Sequence, residues 1–206
     1  MMINGIILFL AFIGALTIIG WVVRGIGSLF GEKEVKIDPP AIEEQLLTVN
    51  EYSRPGIALH TVRGIVVHYT ANPGTGAQAN RNYFEGLKDS HEAKASSHYV
   101  IGLEGEILQC IPTTEIAYAS NDRNTDTIAI ECCHPDSSGA FNQPTYDSLV
   151  HLTAWLCTQY GLSSEDVIRH YDVTGKDCPK YYVEHPDAWQ QFLRDVDDYI
   201  DKNREK

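Results

Sequence analysis

Apolar runs of strand length predict a β-sheet in the middle of the chain. Residues 62–69 form a β-branched run that ends in a polar cluster. Two further apolar runs, residues 98–103 and 106–111, lie on either side of a glycine-containing turn and predict a hairpin. Residues 126–133 predict another strand, with Ile128, Ile130 and Cys132 on one face and Ala129, Glu131 and Cys133 on the other.

Helical spacing of apolar residues predicts the elements that cover this sheet. Residues 76–89 and 145–160 show this spacing, and Gly161 follows the second segment as a helix-ending residue. The last helix is predicted to begin at Pro186, a favoured first-turn residue. Its apolar stripe consists of Trp189, Phe192, Leu193, Val196, Tyr199 and Ile200. We therefore predict an α/β fold with a central mixed β-sheet flanked by α-helices.

The amino-terminal segment differs from the rest of the chain. Residues 3–23 are almost wholly apolar and carry no charge, and about 20 such residues suffice for a transmembrane helix. Trp21 and Arg24 suit the membrane interface at its end. We predict an uncleaved membrane anchor over residues 1–30, with a cleaved signal sequence as the alternative. Residues 31–45 include Asp38-Pro39-Pro40 and predict a linker, so the folded domain is expected to span residues 46–206.

Composition and charge exclude some classes of function. The 206-residue chain is 43% hydrophobic and has a formal net charge of −12, so nucleic acid is excluded as a partner because phosphate binding requires clustered Lys and Arg.

Five cysteines cannot all pair within one chain, and we expect most of them to be buried free thiols.

Two histidines and one cysteine form a candidate metal site. His68 lies near the end of a predicted strand, and Cys178 follows His170 by eight residues in a loop that contains glycine and proline. Imidazole nitrogen and thiolate sulfur are donors that zinc prefers, and three protein ligands leave a fourth position open for catalysis. From spacing alone, a structural role in the core remains open for a lone strand histidine such as His68.

Four segments in order carry a resemblance to a known family. Residues 64–70, 96–105, 127–131 and 169–179 resemble the type 2 zinc amidases, the N-acetylmuramoyl-L-alanine amidase family that is related to phage lysozyme-type amidases and peptidoglycan recognition proteins. The resemblance covers about residues 49–200. It implies one Zn²⁺ per chain, peptidoglycan as the partner, and hydrolysis of the amide bond between N-acetylmuramic acid and L-alanine in cell-wall remodelling or lysis.

The resemblance also implies roles for single residues. His68, His170 and Cys178 match the zinc ligands, Lys176 matches the catalytic lysine, and Glu131 matches the acid that one branch of the family uses. Another branch uses a tyrosine at a position that is serine here, which favours Glu131 as the general acid–base group.

The motifs indicate the substrate-binding residues less directly than the metal ligands and catalytic residues. His98 lies in the hairpin motif and is a candidate for substrate binding. Many family members carry a histidine in the segment that corresponds to residues 116–121, and this chain has none there. Tyr118 and Asn121 are candidates to line the substrate groove instead.

Two other functions remain open from the sequence. A non-catalytic peptidoglycan-binding module would share the fold, although such modules typically lack the ligand cysteine that Cys178 provides. A cysteine hydrolase would use Cys178 as nucleophile and His170 as base.

The implied function also requires a location outside the cytoplasm. We therefore expect a single-pass membrane protein with an extracytoplasmic domain, or a secreted protein if the segment is cleaved, although Arg24, Lys33 and Lys36 favour the opposite orientation. We expect a monomer.

Overall fold

The computed structural model describes residues 36–204, and the predicted membrane anchor of residues 1–30 lies outside this range. Within the described range, no helix is both long enough and apolar enough to cross a membrane. The predicted α/β class is confirmed, because helices pack on a mixed β-sheet.

The described residues form one six-stranded sheet in the order β1-β4-β3-β5-β2-β6. Strands β2, β3, β5 and β6 run parallel to one another, whereas β4 is antiparallel to β3 in the predicted hairpin. The strands are β1 (Ile42–Glu44), β2 (Gly64–Tyr69), β3 (Tyr99–Ile101), β4 (Ile107–Gln109), β5 (Thr127–Cys132) and β6 (Val167–Arg169).

Helices and two 3₁₀ turns complete the described domain. The helices are α1 (Ala77–Ser90), α2 (Gln143–Tyr160), α3 (His170–Thr174), α4 (Lys180–Glu184) and α5 (Pro186–Arg204), and the 3₁₀ turns are Asn121–Thr125 and Ser164–Asp166. Two predicted helix boundaries are confirmed. Gly161 caps the end of α2 with a φ of 64°, a left-handed conformation that glycine adopts without strain. Helix α5 begins at Pro186.

The sheet buries apolar side chains on both faces. On one face, α1 packs its buried Phe84 and Leu87 in a cluster with Val100 of β3 and Leu108 of β4. Because side chains alternate along a strand, Ile128, Ile130 and Cys132 of β5 point to the other face. Helices α2 and α5 contact each other, and α2 contacts β3.

The predicted linker has to be corrected at its carboxyl end. Ile42–Glu44, inside the segment predicted as a linker, forms strand β1 and pairs in parallel with β4. Ile37 is also buried, with 3% of its surface exposed. The proline pair disfavours a helix or a central strand, but β1 begins two residues later at the edge of the sheet and needs a paired neighbour on one side only. The folded domain therefore begins before residue 46.

All five cysteines are free and buried, which agrees with the prediction that most of them are buried free thiols.

Candidate active site

The ends of three parallel strands bring the candidate residues together. His68 of β2 and Glu131 of β5 are direct partners in the parallel register, so their side chains share one face of the sheet. His170 follows β6, which pairs with the other side of β2, and begins α3. The carboxyl ends of parallel strands lie at the same edge of a sheet, and this edge collects ligands in α/β folds.

The three predicted metal ligands converge at this edge. One ligand atom from each of His68, His170 and Cys178 can be chosen so that all three lie within 4.8 Å of one another. The distance from His68 Nδ1 to Cys178 Sγ is 3.8 Å. The side chains are 2%, 6% and 2% exposed, respectively, so the cluster is shielded from bulk water.

A tight loop after α3 places Cys178 next to His68 and His170. The Asp172 carboxylate accepts a hydrogen bond from the Arg169 backbone N–H at 2.8 Å and pairs with the Arg169 guanidinium, which fixes the start of α3. The helix ends after one turn at Gly175, where φ is 76°. The Tyr171 backbone N–H then donates to the Cys178 carbonyl oxygen at 2.8 Å.

Ser120 and Asn121 hold the two histidine rings. The Ser120 hydroxyl lies 3.2 Å from His68 Nε2, and the Asn121 side-chain oxygen lies 3.0 Å from His170 Nε2. Asn124 in turn fixes this turn, because its Oδ1 accepts hydrogen bonds from the backbone N–H groups of Ala119 and Ser120 at 3.0 and 2.6 Å. Such outer partners orient metal-binding imidazoles and set their tautomers.

The remaining ring nitrogens and the sulfur fit a metal ion. His170 Nδ1 is buried and has no hydrogen-bond partner among the described residues. Burial, together with the His170 and Lys176 charges, lowers the pKa of His68 well below its usual value, so this imidazole is neutral and has a lone pair to give. Two imidazoles and one cysteine sulfur form a donor set that zinc prefers.

Glu131 and Lys176 lie beside this cluster. Burial raises the pKa of Glu131 to about 8, against a lowering effect of the Lys176 charge, and its Oε2 has no hydrogen-bond partner among the described residues. Lys176 is exposed at the rim, and its charge also lowers the pKa values of both histidines. A carboxyl group with a pKa near neutrality is suited to proton transfer.

These residues line a cleft with a volume of about 220 Å³. The cleft brings together the three candidate ligands, Glu131, Lys176 and the predicted groove residue Tyr118. Asn121 contacts His170 and lines a neighbouring pocket. A substrate role for Tyr118 and Asn121 stays a prediction.

His98 does not lie in the cleft, contrary to expectation. Its ring is 1% exposed. Nδ1 accepts a hydrogen bond from the Ala129 backbone N–H at 3.0 Å, and Nε2 contacts the Glu115 carbonyl oxygen at 2.9 Å. Both ring nitrogens therefore contact backbone groups at hydrogen-bond distance, and burial lowers the pKa of His98 to about 4. His98 is thus a neutral residue that links two backbone segments.

Sequence reasoning missed three residues at the site: Ser120, Asn124 and Lys94. Ser120 is 52 residues from its partner His68, so no local pattern predicts the contact. Lys94 lies in the loop after α1 and lines the cleft. The available signal was the polar run 120–124 directly before β5, which is unusually rich in hydrogen-bonding side chains.

Comparison with known proteins identifies the class to which this fold and site belong. A family model described as N-acetylmuramoyl-L-alanine amidase matches residues 58–181, which is more than half of the chain. The match includes β2 with His68, β5 with Glu131, and the segment from His170 to Cys178. The chain therefore belongs to the N-acetylmuramoyl-L-alanine amidase family.

Individual relatives agree with this assignment. The N-acetylmuramoyl-L-alanine amidase CwlL of Bacillus licheniformis is 37% identical over 172 residues, which cover 77% of this chain and 47% of that protein. The amidase BlyA of Bacillus subtilis (strain 168) is 32% identical over 171 residues, which cover 73% and 45% of the respective chains. The chain thus spans about half the length of the curated relatives it matches.

Solved structures share the fold. The catalytic domain of XlyA superposes with a TM-score of 0.64 at 25% identity, over 76% of this chain and 99% of that one. PlyL superposes with a TM-score of 0.66 at 23% identity, over 76% and 97% of the two chains. At this identity, PlyL supports the fold alone.

Proposed function

We propose that this protein is a zinc-dependent N-acetylmuramoyl-L-alanine amidase, which hydrolyses the amide bond between N-acetylmuramic acid and the L-alanine of the stem peptide in cell-wall remodelling or lysis. The main support is the convergence of His68, His170 and Cys178, whose ligand atoms lie within 4.8 Å of one another. The carboxyl group of Glu131, the register partner of His68 on the neighbouring strand, lies beside them. Family membership supports peptidoglycan as the substrate.

His68, His170 and Cys178 would hold the zinc ion, which when bound would supply Lewis-acid polarisation of the carbonyl and a water pKa lowered to about 7. Glu131 accepts the proton of the attacking water and delivers it to the leaving nitrogen. Lys176 stabilises the negative charge that develops on the carbonyl oxygen. The cleft encloses these groups on the sheet side and leaves Lys176 at the rim.

The environment of Glu131 suits this role. With a pKa of about 8, the carboxyl group of the metal-free protein is mostly protonated at neutral pH. A nearby cation favours the ionised form, which is the form that accepts a proton. The same group then returns the proton to the amine that leaves.

A cysteine hydrolase is the less favoured function. Burial raises the pKa of the Cys178 thiol to about 12, whereas a nucleophilic cysteine requires a lowered pKa. A non-catalytic binding module is also disfavoured, because the full set of three ligands and both candidate catalytic groups is present beside one cleft.

Membrane attachment extends the proposal. The uncharged apolar run of residues 3–23 supports a single-pass anchor with the domain outside the cytoplasm, or secretion if that segment is cleaved. A monomer is proposed, since α5 already packs its buried Trp189, Phe192 and Val196 within its own chain.

The test measures metal content and muropeptide release from purified sacculi with the full-length chain. We expect one zinc per chain and release of stem peptides, and loss of both in Cys178→Ser. Cys157→Ser is the matched control, because Cys157 is equally buried but its sulfur faces the Ser163 carbonyl oxygen away from the cluster. A protein that binds sacculi without zinc and without cleavage would instead be a recognition module, and zinc-free cleavage would favour the cysteine hydrolase.

A further inference from the structure

A second pocket adjoins the proposed catalytic cleft. Its volume is about 270 Å³, and it is lined by Lys94, Tyr118, Ala119, Asn121 and Asn124. Three of these residues, Lys94, Tyr118 and Ala119, also line the cleft. The two spaces are therefore neighbours, and a substrate that extends beyond the scissile bond can reach from one to the other.

The two asparagines of this pocket are oriented by the protein. The Asn121 side-chain oxygen lies 3.0 Å from His170 Nε2, and the Asn124 side-chain oxygen accepts two backbone N–H groups. Each amide oxygen is therefore engaged by a donor. The Nδ2 groups make no hydrogen bond with any described residue, so both remain available as donors.

Lys94 adds a positive charge to these donors. Its ammonium nitrogen lies 5.6 Å from the centroid of the ring of Tyr118, which also lines the pocket, so the two side chains are in cation–π contact. Within the described part of the chain, Lys94 forms no salt bridge. None of the described residues that line the pocket is acidic, although the chain has a net charge of −12.

We propose that this pocket binds a carboxylate of the peptide part of the substrate, and this assignment rests on the proposed amidase function. The pocket lining combines one ammonium and two amide N–H₂ groups, and each of these groups can donate a hydrogen bond to an ionised carboxylate. A carboxamide at the same position would bring its own N–H₂ group against these donors. The pocket therefore selects stem peptides by charge as well as by shape.

The test compares two synthetic N-acetylmuramoyl tripeptides that are identical except that one carries free carboxylates and the other carboxamides. We expect wild type to cleave the carboxylate form with a kcat/KM about three- to tenfold higher, the scale of one partly exposed charge-assisted contact. Lys94→Gln should reduce this ratio to below about twofold. Lys202→Gln removes the same charge from the exposed surface of α5 and should leave the ratio unchanged.

Asn124→Asp provides a second, independent variant. The substitution keeps an oxygen that accepts the Ala119 and Ser120 backbone N–H groups, and it replaces the free amide donor with a negatively charged oxygen. We expect Asn124→Asp to retain zinc and to favour the carboxamide form over the carboxylate form. The opposite signs expected for Asn124→Asp and wild type exclude a general loss of folding as the explanation.

A binding measurement separates this inference from the proposed function. NMR titration of the full-length protein with the free tripeptide, in its carboxylate and carboxamide forms, reports on the pocket without any cleavage. If wild type cleaves neither substrate but binds the carboxylate form more tightly through Lys94, the amidase proposal fails and the pocket stands. If wild type shows no preference in binding or cleavage, or if Lys94→Gln keeps the preference, the pocket assignment is overturned.

Discussion

Asn121 provides a direct test of how the metal ligands are held. Its backbone has a φ of 53°, a left-handed conformation that asparagine, aspartate and glycine adopt more readily than alanine does. Asn121→Gly therefore removes the side chain without adding backbone strain. Asn121→Asp retains an oxygen for His170 Nε2 in the same conformation, and so it is the matched control.

The magnitude follows from the contact that is lost. The Asn121 oxygen lies 3.0 Å from His170 Nε2, and removal of such an outer partner typically lowers metal affinity by about 10–100-fold. Asn121 is exposed, so water can replace part of the lost contact. We therefore expect Asn121→Gly to weaken zinc binding by about tenfold, equivalent to about 1.4 kcal/mol. Asn121→Asp should stay within about threefold of wild type or bind more tightly.

The assay is competition for zinc against a chelator of known affinity, with no substrate present. The free energy of unfolding of the metal-free proteins, from urea titration, serves as the reference for folding. Equal zinc affinity in wild type and Asn121→Gly would refute the reasoning, because the hydrogen bond would then have no effect on His170 as a ligand. Equal losses in the glycine and aspartate variants would refute it as well.

Two further predictions concern buried titratable groups. His98→Ala should lower the free energy of unfolding by about 2 kcal/mol or more in urea titration, because two buried backbone partners lose their hydrogen bonds; a raised KM with unchanged stability would instead favour a substrate contact. In metal-free protein, the contribution of Glu131 to the free energy of unfolding should fall as pH rises from about 4.5 to about 8, since folded Glu131 keeps its proton with a pKa of about 8 while the unfolded side chain ionises from about 4.5. Glu131→Gln should remove this part of the pH dependence, and identical pH slopes for the two proteins would contradict the prediction.

Hydrophobic periodicity was sufficient for the long elements of the fold. Strands β2 and β5, the hairpin of β3 and β4, and helices α1, α2 and α5 follow from apolar spacing over six or more residues or from a turn between two runs. Strands β1 and β6 have three residues each, which is too short for any period to be recognised. Their place in the sheet depends on pairing with distant strands, and local sequence does not encode that pairing.

The candidate ligands were predictable, but their supports were not. His68, His170 and Cys178 belong to motifs whose order and spacing are visible in the chain. Asn121 was predicted as a groove residue only, and its contact with His170 joins residues 49 positions apart. The surroundings of His98 could not be predicted for the same reason, since its motif position does not reveal that both ring nitrogens bind backbone groups.

The turn from Ser120 to Asn124 connects the metal cluster with the proposed carboxylate pocket. The amide of Asn121 is planar, so an oxygen directed toward His170 fixes the direction of its N–H₂ group as well. Asn124 holds the backbone of this turn through its own oxygen, and its N–H₂ group likewise makes no hydrogen bond with a described residue. The conformation that orients the imidazoles is therefore the same one that presents donors to the pocket. A substitution that rotates either amide should change both zinc affinity and carboxylate preference, whereas Lys94→Gln should change the preference alone.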